Sequence, residues 1–285
     1  IKPVLLGGIA AWLARVNCVV SSVSGMGYVF IKKGVLTILI RMVVSFLYRL
    51  AFGHKHLRVI FHNKTDLEEV SKVANLLPKE SVLIKGSGVN LNEFQFSPIP
   101  QGKPIVVLAS RMLVDKGVKE FVEAASYLKK KGLKARFVLV GEPDTENNAS
   151  LSKKEIMAWK DRNIIEYWGH RTDMNKVLSQ ACIVVLPSYR EGMPKILLEA
   201  AASGRPIVTT DVPGCRDAII PGITGLLVPE RNSIALSKEI EYLLENRKVC
   251  KDMGYEGRML AEKFYDIRAV INKHMDIYSE LIQEA

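Results

Sequence analysis

Acidic residues are absent from the first 65 positions of this 285-residue chain. Residues 1–100 carry 12 Lys and Arg against 5 Asp and Glu, a net of +7, and the remaining 185 residues carry 28 against 25, a net of +3. Most of the formal charge of +10 therefore lies toward the N-terminus. Such a region indicates an anionic partner, which is a membrane surface, a phosphorylated ligand or nucleic acid. The alternative is that its lysines are ordinary solvated surface residues.

The chain also lacks the signatures of nucleic-acid binding and of folds held together by disulfides or zinc. It has no Cys/His zinc spacing, no RNA-binding aromatic signature and no dense Lys/Arg tract, so nucleic acid is excluded as a partner. The four cysteines stand apart without a CxxC pair. The sequence therefore predicts neither disulfides nor structural zinc and indicates a reducing cytosol.

Long uncharged hydrophobic runs are missing as well. Residues 31–52 are the most apolar long segment, but two Lys and two Arg leave its uncharged stretches too short for a bilayer core of about 30 Å. The segment is typical of a basic amphipathic helix, which either packs into a domain or lies on a lipid surface. Because the chain starts at Ile1 and no cleavage region follows, we expect its true beginning to be missing.

A repeated strand and helix rhythm runs from residue 58 onward. Eight short β-branched or apolar runs alternate with helical patterns such as 118–132 and 174–181. The predicted strands are 58–63, 81–86, 104–110, 135–141, 164–169, 181–188, 206–211 and 225–229. Nearly continuous apolar runs are typical of parallel strands covered on both faces. The sequence therefore predicts an α/β fold of βαβ units around open, mostly parallel sheets.

A domain boundary is predicted near residues 97–104, which hold three prolines and one glycine in eight positions. Residues 1–97 are predicted to be the latter part of an incomplete Rossmann-like domain. Residues 98–266 are predicted to form a complete one. Residues 267–285 are expected to form a helix that packs back toward the first domain.

Two predicted strand ends carry residues suited to a ligand, because open α/β sheets bind ligands beyond the carboxyl ends of their strands. After 104–110, Arg111 and Lys116 offer a guanidinium fork and a compact charge for phosphate oxygens. A surface Arg/Lys pair is the plainer interpretation of such a match. Gly141 after the next strand permits close backbone approach, or simply marks a turn.

A third strand end, in residues 188–214, carries two glutamates separated by seven residues. Pro194 suits the first position of a helix that runs to Ala202, and the N-terminus of that helix is suited to a diphosphate. Eight helical residues span about 12 Å, which is comparable with the ribose-to-sugar distance of a nucleotide-sugar. Glu199 would then accept the ribose hydroxyls while Glu191 reaches the sugar end.

The alternative is that Glu199 pairs with Lys195 on the preceding turn or with Arg205. An i,i+4 ion pair is worth only a few tenths of a kcal/mol. That stabilisation is small compared with the cost of burying a carboxylate among small apolar residues. From these residues alone, both interpretations stay open.

Five ordered blocks resemble the retaining glycosyltransferases of family 4, which have the GT-B fold. The blocks are "SGMGYVF" (24–30), "LIKGSGVN" (83–90), "ASRMLVDKGVKEFVEAA" (109–125), "LPSYREGMPKILLEAAASGRPIVTTDVPGCRD" (186–217) and "GITGLLVP" (222–229). The similarity covers essentially the whole chain, and Glu191 and Glu199 match the family's E-x7-E motif. The blocks look most like bacterial α-N-acetylgalactosaminyltransferases that extend polyprenyl-diphosphate-linked oligosaccharides in O-antigen, capsule or N-glycan assembly.

The resemblance implies a role for each matching position. Glu191, the expected catalytic residue, would contact the transferred sugar, and Glu199 would contact the ribose. Arg111 and Lys116 would hold the donor diphosphate. The residues that would present backbone to the phosphates and the sugar are Gly192, Met193 and Pro194.

The resemblance also implies a hexosyltransferase that needs no metal and no cofactor beyond its UDP-sugar donor. The chain has no Asp-x-Asp pair, and Lys, Arg and the helix end would stabilise the leaving UDP. The donor is expected to carry an N-acetylhexosamine, and the acceptor to be a saccharide on a polyprenyl diphosphate. We expect a cytoplasmic protein, peripheral at the inner face of the cell membrane, whose basic N-terminal part meets the anionic leaflet.

Full-length relatives begin well before Ile1, with the first strands, a glycine-rich loop and an acceptor-side histidine in the preceding segment. We therefore expect a complete donor site and half an acceptor site in this chain. Two alternatives remain at this point. One is a truncated sugar-nucleotide-binding remnant without activity, and the other is a GT-B sugar-nucleotide epimerase.

Overall fold

The structure is a computed structural model that describes residues 2–25 and 35–285. The block "SGMGYVF" lies outside the described residues from position 26 onward, as do Lys32 and Lys33. The chain divides into two compact units. One unit combines residues 1–88 with 267–285, and the other consists of residues 89–266.

The smaller unit contains a three-stranded parallel sheet in the order β1-β2-β3. Its strands are β1 (Cys18–Val23), β2 (His56–Phe61) and β3 (Ser81–Leu83). The helices that flank them are α1 (Lys2–Leu13), α2 (Val35–Ala51) and α3 (Lys64–Ala74). Tyr48 of α2 packs with Leu57 and Phe61 of β2 in the core of this unit. The amphipathic helix predicted in 31–52 is thus present over its described part.

The larger unit is built on a six-stranded parallel sheet in the order β6-β5-β4-β7-β8-β9. Its strands are β4 (Ile105–Ala109), β5 (Arg136–Val140), β6 (Glu166–Gly169), β7 (Ile183–Leu186), β8 (Ile207–Thr210) and β9 (Gly225–Val228). Its helices are α4 (Val118–Lys130), α5 (Lys153–Asp161), α6 (Met174–Gln180), α7 (Lys195–Ala202), α8 (Ser233–Glu245) and α9 (Arg247–Phe264). The strand order reverses between β4 and β7, and ligands bind at such a switch point in doubly wound sheets.

Both faces of this sheet are buried, which explains the continuous apolar strands. Val106 and Leu108 of β4 belong to one hydrophobic cluster, whereas Val107 and Ala109 belong to the other. Side chains alternate between the two faces of a strand, so each face needs its own apolar set. The predicted α/β fold with parallel sheets is confirmed.

The last helix, α10 (Ile267–Gln283), belongs to the smaller unit. Val270 and Ile277 pack in one cluster with Ile60 of β2 and Ile84. No helix in the described part of the chain combines the length and the apolar character that a membrane crossing requires.

The units divide after Gly88, whereas the sequence placed the boundary at residue 97. The segment between them is held by the larger unit. The Val89 N–H donates to the Tyr265 carbonyl oxygen at 2.7 Å, and Phe94 is buried in a core cluster of that unit. The prolines that marked the boundary therefore follow a segment that already belongs to the larger unit.

Candidate functional site

The loops that follow β4 and β7 meet at the switch point of the larger sheet. The Tyr189 N–H and the Ser188 hydroxyl both donate to the Asp115 carbonyl oxygen, at 2.9 and 3.0 Å. Gly117 has a left-handed φ of 71°, and a Cβ there would lie 2.1 Å from the Pro187 carbonyl oxygen. The two loops are therefore in direct backbone contact, which only a glycine at position 117 permits.

Glu191 and Lys116 form an ion pair across these two loops. Their side chains are 13% and 18% exposed, so water screens the pair only in part. The Ser188 hydroxyl shares its single proton between the Asp115 carbonyl oxygen and Glu191 Oε1, which lies 2.8 Å away. One ammonium and one hydroxyl thus fix the orientation of the Glu191 carboxylate at the carboxyl edge of the sheet.

The second glutamate of the motif, Glu199, lies on α7 and is 6% exposed. Its Oε1 lies 3.4 Å from Lys195 Nζ. Burial raises the pKa of Glu199, and nearby Glu93 adds to this, while Lys195 opposes both. The alternative partner Arg205 instead donates to backbone carbonyls, among them that of Ala181 at 2.9 Å.

The loop between the two glutamates leads into α7 through an extended residue. Pro194 has φ −72° and ψ 119°, and it precedes the helix as its N-cap. The predicted placement of Pro194 at the first helical position is therefore wrong by one residue, because its extended ψ angle is not helical. Met193 packs against the core of the unit, and Gly214 approaches so closely that a Cβ there would lie 2.4 Å from the Glu191 carbonyl oxygen.

A cavity of about 570 Å³ opens where β4, β5 and β6 end beside α7. Residues that line it include Arg111, Gly141, Asp144, His170, Arg171 and Glu199. Two of the predicted site residues, Arg111 and Glu199, thus face one cavity although they are 88 positions apart. Lys116 and Glu191 are not among its lining residues. They lie on the loops that follow β4 and β7. A cavity of this size can hold a nucleotide-sized ligand.

Arg111 contributes a cation to this cavity. Its Nη1 lies 2.7 Å from Asp144 Oδ2, and its side chain is 61% exposed. An exposed ion pair of this kind is worth little stability. Arg111 can therefore exchange Asp144 for a phosphate oxygen at small cost.

Gly141 ends β5 at the wall of this cavity, with a φ of 131°. A Cβ at this position would lie 1.9 Å from the Ser110 carbonyl oxygen. The backbone at Gly141 is therefore closely approached, and the neighbour is the Ser110 carbonyl group of the same chain.

Gly141→Ala is therefore expected to lower the free energy of unfolding by at least about 3 kcal/mol, since a strained φ and a backbone clash add. The matched control is Gly132→Ala, where φ is 91° and nothing lies within 4 Å of the added Cβ. That control is expected to lose about 1 kcal/mol from strain alone. Urea unfolding of both variants measures the difference, and equal losses would contradict the clash.

Several residues of this site were not singled out in the sequence. His170 and Arg171 follow β6 and line the cavity, and Arg171 makes two 2.7 Å hydrogen bonds with the Asp173 carboxylate. The Arg171 hydrogen bonds lower the pKa of Asp173 to about 2. The signal was available, because "GHRTD" stands directly after a predicted strand, as Arg111 does.

Within residues 2–25 and 35–285, no group of three or more His, Cys, Asp or Glu side chains is arranged to hold a metal ion. The arrangement at the switch point is instead a buried carboxylate, an exchangeable guanidinium and a fixed carboxylate–ammonium pair. A carboxylate suits vicinal hydroxyls, and guanidinium and ammonium groups suit phosphate. The site can therefore hold a polar ligand that carries both vicinal hydroxyls and phosphate groups.

Comparison with known proteins agrees with this chemistry. The family described as "Glycosyl transferases group 1" matches residues 89–259. The N,N'-diacetylbacillosaminyl-diphospho-undecaprenol alpha-1,3-N-acetylgalactosaminyltransferase of Campylobacter jejuni is 34% identical over 97% of this chain and 74% of its own length. The UDP-Gal:alpha-D-GlcNAc-diphosphoundecaprenol alpha-1,3-galactosyltransferase of Escherichia coli is 26% identical over 99% of this chain and 74% of its own.

Solved structures show the same fold. Anabaena HepE in complex with UDP and glucose superposes with a TM-score of 0.81 at 18% identity, over 98% of this chain and 75% of that one. The sucrose-phosphate synthase of Thermosynechococcus elongatus gives a TM-score of 0.82 at 21% identity, over 99% and 73%. The predicted GT-B fold, with its two parallel sheets, is confirmed by these neighbours.

Proposed function

Because the chain belongs to the glycosyl transferases group 1 family, and is therefore a hexosyltransferase-type glycosyltransferase, we propose that it moves a sugar from a UDP-sugar to a lipid-diphosphate-linked saccharide. The transferred sugar is an N-acetylhexosamine, and the anomeric configuration of the donor is retained. The relatives from C. jejuni and E. coli support this proposal, since both are named for undecaprenyl-diphosphate-linked acceptors. The product belongs to bacterial surface polysaccharide or glycan assembly.

One observation carries the proposal: the buried Glu199 opens into the same cavity as Arg111 at the switch point of the sheet. In the proposed complex, the Glu199 carboxylate accepts hydrogen bonds from both ribose hydroxyls. The diphosphate lies between Arg111, Lys116 and the N-terminus of α7, where backbone N–H groups point outward. Glu191 contacts the transferred sugar.

In this proposal the same groups perform the chemistry without a metal. When the bond between the sugar and UDP breaks, negative charge collects on the leaving phosphate oxygen. Arg111, Lys116 and the α7 N-terminus stabilise that charge from fixed positions. The Glu191 carboxylate holds the sugar and faces the positive charge that develops on it.

The direct test is transfer of radiolabelled sugar from a panel of UDP-sugars to a short polyprenyl-diphosphate-linked saccharide. The expected result is a product with an α linkage, formed fastest from a UDP-N-acetylhexosamine. An epimerase would instead change the UDP-sugar without an acceptor. A binding remnant would hold UDP tightly and transfer nothing, and either result would overturn the proposal.

The diphosphate contacts can be tested separately. Arg111→Ala and Lys116→Ala are each expected to weaken UDP binding by about tenfold while uridine binding stays within threefold, because a charged hydrogen bond is worth about 1.5–3 kcal/mol. Isothermal titration calorimetry with UDP and uridine measures both. Lys119→Ala on α4 is the control, since it removes a nearby exposed lysine. Equal losses for UDP and uridine would remove the diphosphate assignment.

The smaller unit carries a surface suited to a membrane, which we propose as the contact with the anionic leaflet. Val44, Tyr48 and Ala51 of α2 are buried. From residue 40 onward, the exposed apolar residues of α2 are Ile40, Met42, Val43, Phe46 and Leu50. Arg41 and Arg49 stand among them, and no acidic residue precedes Asp66. An apolar stripe flanked by basic charge fits an anionic lipid surface.

Phe46→Glu is expected to weaken binding to liposomes that contain anionic lipid by at least about tenfold, because it removes buried apolar area and adds repulsion. Phe46 is 60% exposed, so its replacement leaves the core intact. The matched control is Ile234→Glu on α8, which is 59% exposed in the other unit. Cosedimentation at low salt measures binding, and equal losses in the two variants would contradict a specific role for α2.

A further inference from the structure

Two thiols of the larger unit face each other away from the donor cavity. Cys182 directly precedes β7, and Cys250 lies in the first turn of α9. Their Sγ atoms are 3.8 Å apart although the residues are 68 positions apart in the sequence. Both are free cysteines. The crossover of the chain, rather than any sequence motif, creates this pair.

Two arginines, Arg205 and Arg247, act electrostatically on both thiols. Arg205 is fully buried, and its hydrogen bonds in the described part of the chain go to carbonyl oxygens and to the Ser97 hydroxyl, none of which is charged. Burial lowers the pKa of Arg205 to about 10, and negative charge on either thiol counters this effect. Arg247 stands three residues before Cys250 and acts on the same thiols. A thiolate at this place would therefore be stabilised by two guanidinium groups.

We propose that Cys182 and Cys250 are a covalent modification site, a dithiol that a hydroperoxide converts reversibly into a disulfide. This inference is independent of the function proposed above, because neither cysteine touches the donor cavity. It also departs from the sequence, in which isolated cysteines indicated no disulfide.

The surroundings assign different roles to the two sulfurs. Cys182 is 9% exposed and Cys250 is 1% exposed, so a small oxidant reaches Cys182 first. The hydrogen bond from Cys250, together with Arg247 and Arg205, lowers the pKa of Cys182, whereas the same hydrogen bond and burial raise the pKa of Cys250. Cys182 is therefore the attacking thiolate and Cys250 the resolving thiol.

The disulfide forms in two steps, oxidation of Cys182 and then attack by Cys250. The Cys182 thiolate attacks one oxygen of hydrogen peroxide, the O–O bond breaks, and hydroxide leaves and takes the Cys250 proton to become water. Cys182 is now a sulfenic acid. The Cys250 thiolate attacks its sulfur, the S–S bond forms and the S–O bond breaks, and the second hydroxide leaves and is protonated by solvent. Two thiols are oxidised, and one peroxide is reduced to two waters.

The disulfide would tie α9 to the start of β7. Gly254 of α9 packs so closely on the turn after α7 that a Cβ there would lie 2.2 Å from the Gly204 carbonyl oxygen. Arg258 Nη1 of α9 donates to the carbonyl oxygen of Ala202, the last residue of α7, at 2.8 Å. The closed loop would contain the whole of α7, β8, β9 and α8. Closing a long loop restricts the unfolded chain, so oxidation is expected to raise the unfolding temperature by about 5 °C or more.

The test treats the folded chain with hydrogen peroxide, blocks remaining thiols in denaturant with an alkylating agent and maps peptides by mass spectrometry. The expected product is a peptide pair that joins Cys182 to Cys250, lost on treatment with dithiothreitol. Cys215 is the internal control, because it is fully buried with its pKa raised to about 12 and should stay reduced. Alkylation of both Cys182 and Cys250 after peroxide treatment would overturn the proposal, as would a link that forms only between molecules.

Variants separate the two roles. Cys250→Ser should leave a sulfenic acid on Cys182 that a cyclic diketone traps, and Cys182→Ser should trap none. Arg247→Gln should slow disulfide formation by about threefold or more, because it removes one cation that stabilises the thiolate. Lys248→Gln is the matched control with the same loss of charge on the next residue. Equal rates for the two variants would remove Arg247 from the site, and absence of a trapped sulfenic acid would overturn the assignment of Cys182.

Discussion

Glu191→Gln is expected to lower the rate of sugar transfer by about 10²–10³-fold while UDP affinity changes by less than about threefold. Glutamine keeps the size of the side chain and can still accept from the Ser188 hydroxyl, so the loop keeps its shape. In the proposed complex it loses the negative charge opposite the sugar, and a fixed charge of this kind acts most strongly in the transition state. Radiolabelled transfer gives kcat, and calorimetry gives the UDP affinity.

The matched control is Glu120→Gln. Glu120 Oε1 accepts the Tyr189 hydroxyl at 2.6 Å, so this carboxylate contacts the same loop from α4. Its replacement is expected to change kcat by less than about threefold. If Glu120→Gln and Glu191→Gln lose the same activity, loop disorder accounts for both, and Glu191 has no special role in transfer.

Lys116 makes a second comparison possible at the same place. Because Lys116 and Glu191 pair across the two loops, replacing either residue removes the ion-pair partner of the other. Their effects on kcat are therefore expected to be non-additive, since residues in direct contact couple. This coupling distinguishes a shared site from two separate contacts.

The strands show what a sequence of this kind reveals. Each of the eight predicted runs overlaps a strand of the structure. The central strands β4, β5, β7 and β8 are buried on both faces, which leaves continuous apolar runs. β1, Cys18–Val23, was not predicted. Two serines interrupt its apolar run, so it lacks the pattern that marked the others. A short apolar or β-branched run is thus what the sequence reports, since the partly buried β3 and β6 were predicted along with the buried β4.

The candidate site shows where sequence reasoning stops. Strand ends identified Arg111 and the helix that carries Glu199, because their positions relative to a strand follow from local pattern. The contact of Lys116 with Glu191 joins loops 75 positions apart and depends on β4 lying next to β7. The same holds for Cys182 and Cys250, which meet only after α9 returns across the sheet. Strand order therefore determines these pairs, and no local motif encodes it.

The largest expected effect on donor binding comes from Glu199→Gln, which should weaken UDP affinity by about 30-fold. A carboxylate that accepts two ribose hydroxyls contributes charged hydrogen bonds worth about 2 kcal/mol together, and tenfold in affinity corresponds to about 1.4 kcal/mol. Lys195→Gln is the control for the alternative, in which Glu199 only pairs with Lys195 at 3.4 Å. Under that alternative, both variants would lower stability alike and leave UDP affinity unchanged.

Stability and binding should respond to Glu199 with opposite signs. Burial raises the pKa of Glu199 above its ordinary value of 4.5, so the folded protein holds this proton more tightly than the unfolded chain. The resulting stability is fully present below pH 4.5 and is lost as pH rises through the raised pKa. In the proposed complex the ribose is bound by the ionised carboxylate, so UDP affinity should fall as pH falls through the same pKa. Glu199→Gln removes both dependences, and at neutral pH it should unfold at the same or a higher temperature than the parent while binding UDP more weakly. A variant that loses stability and keeps its UDP affinity would instead make Glu199 a structural residue.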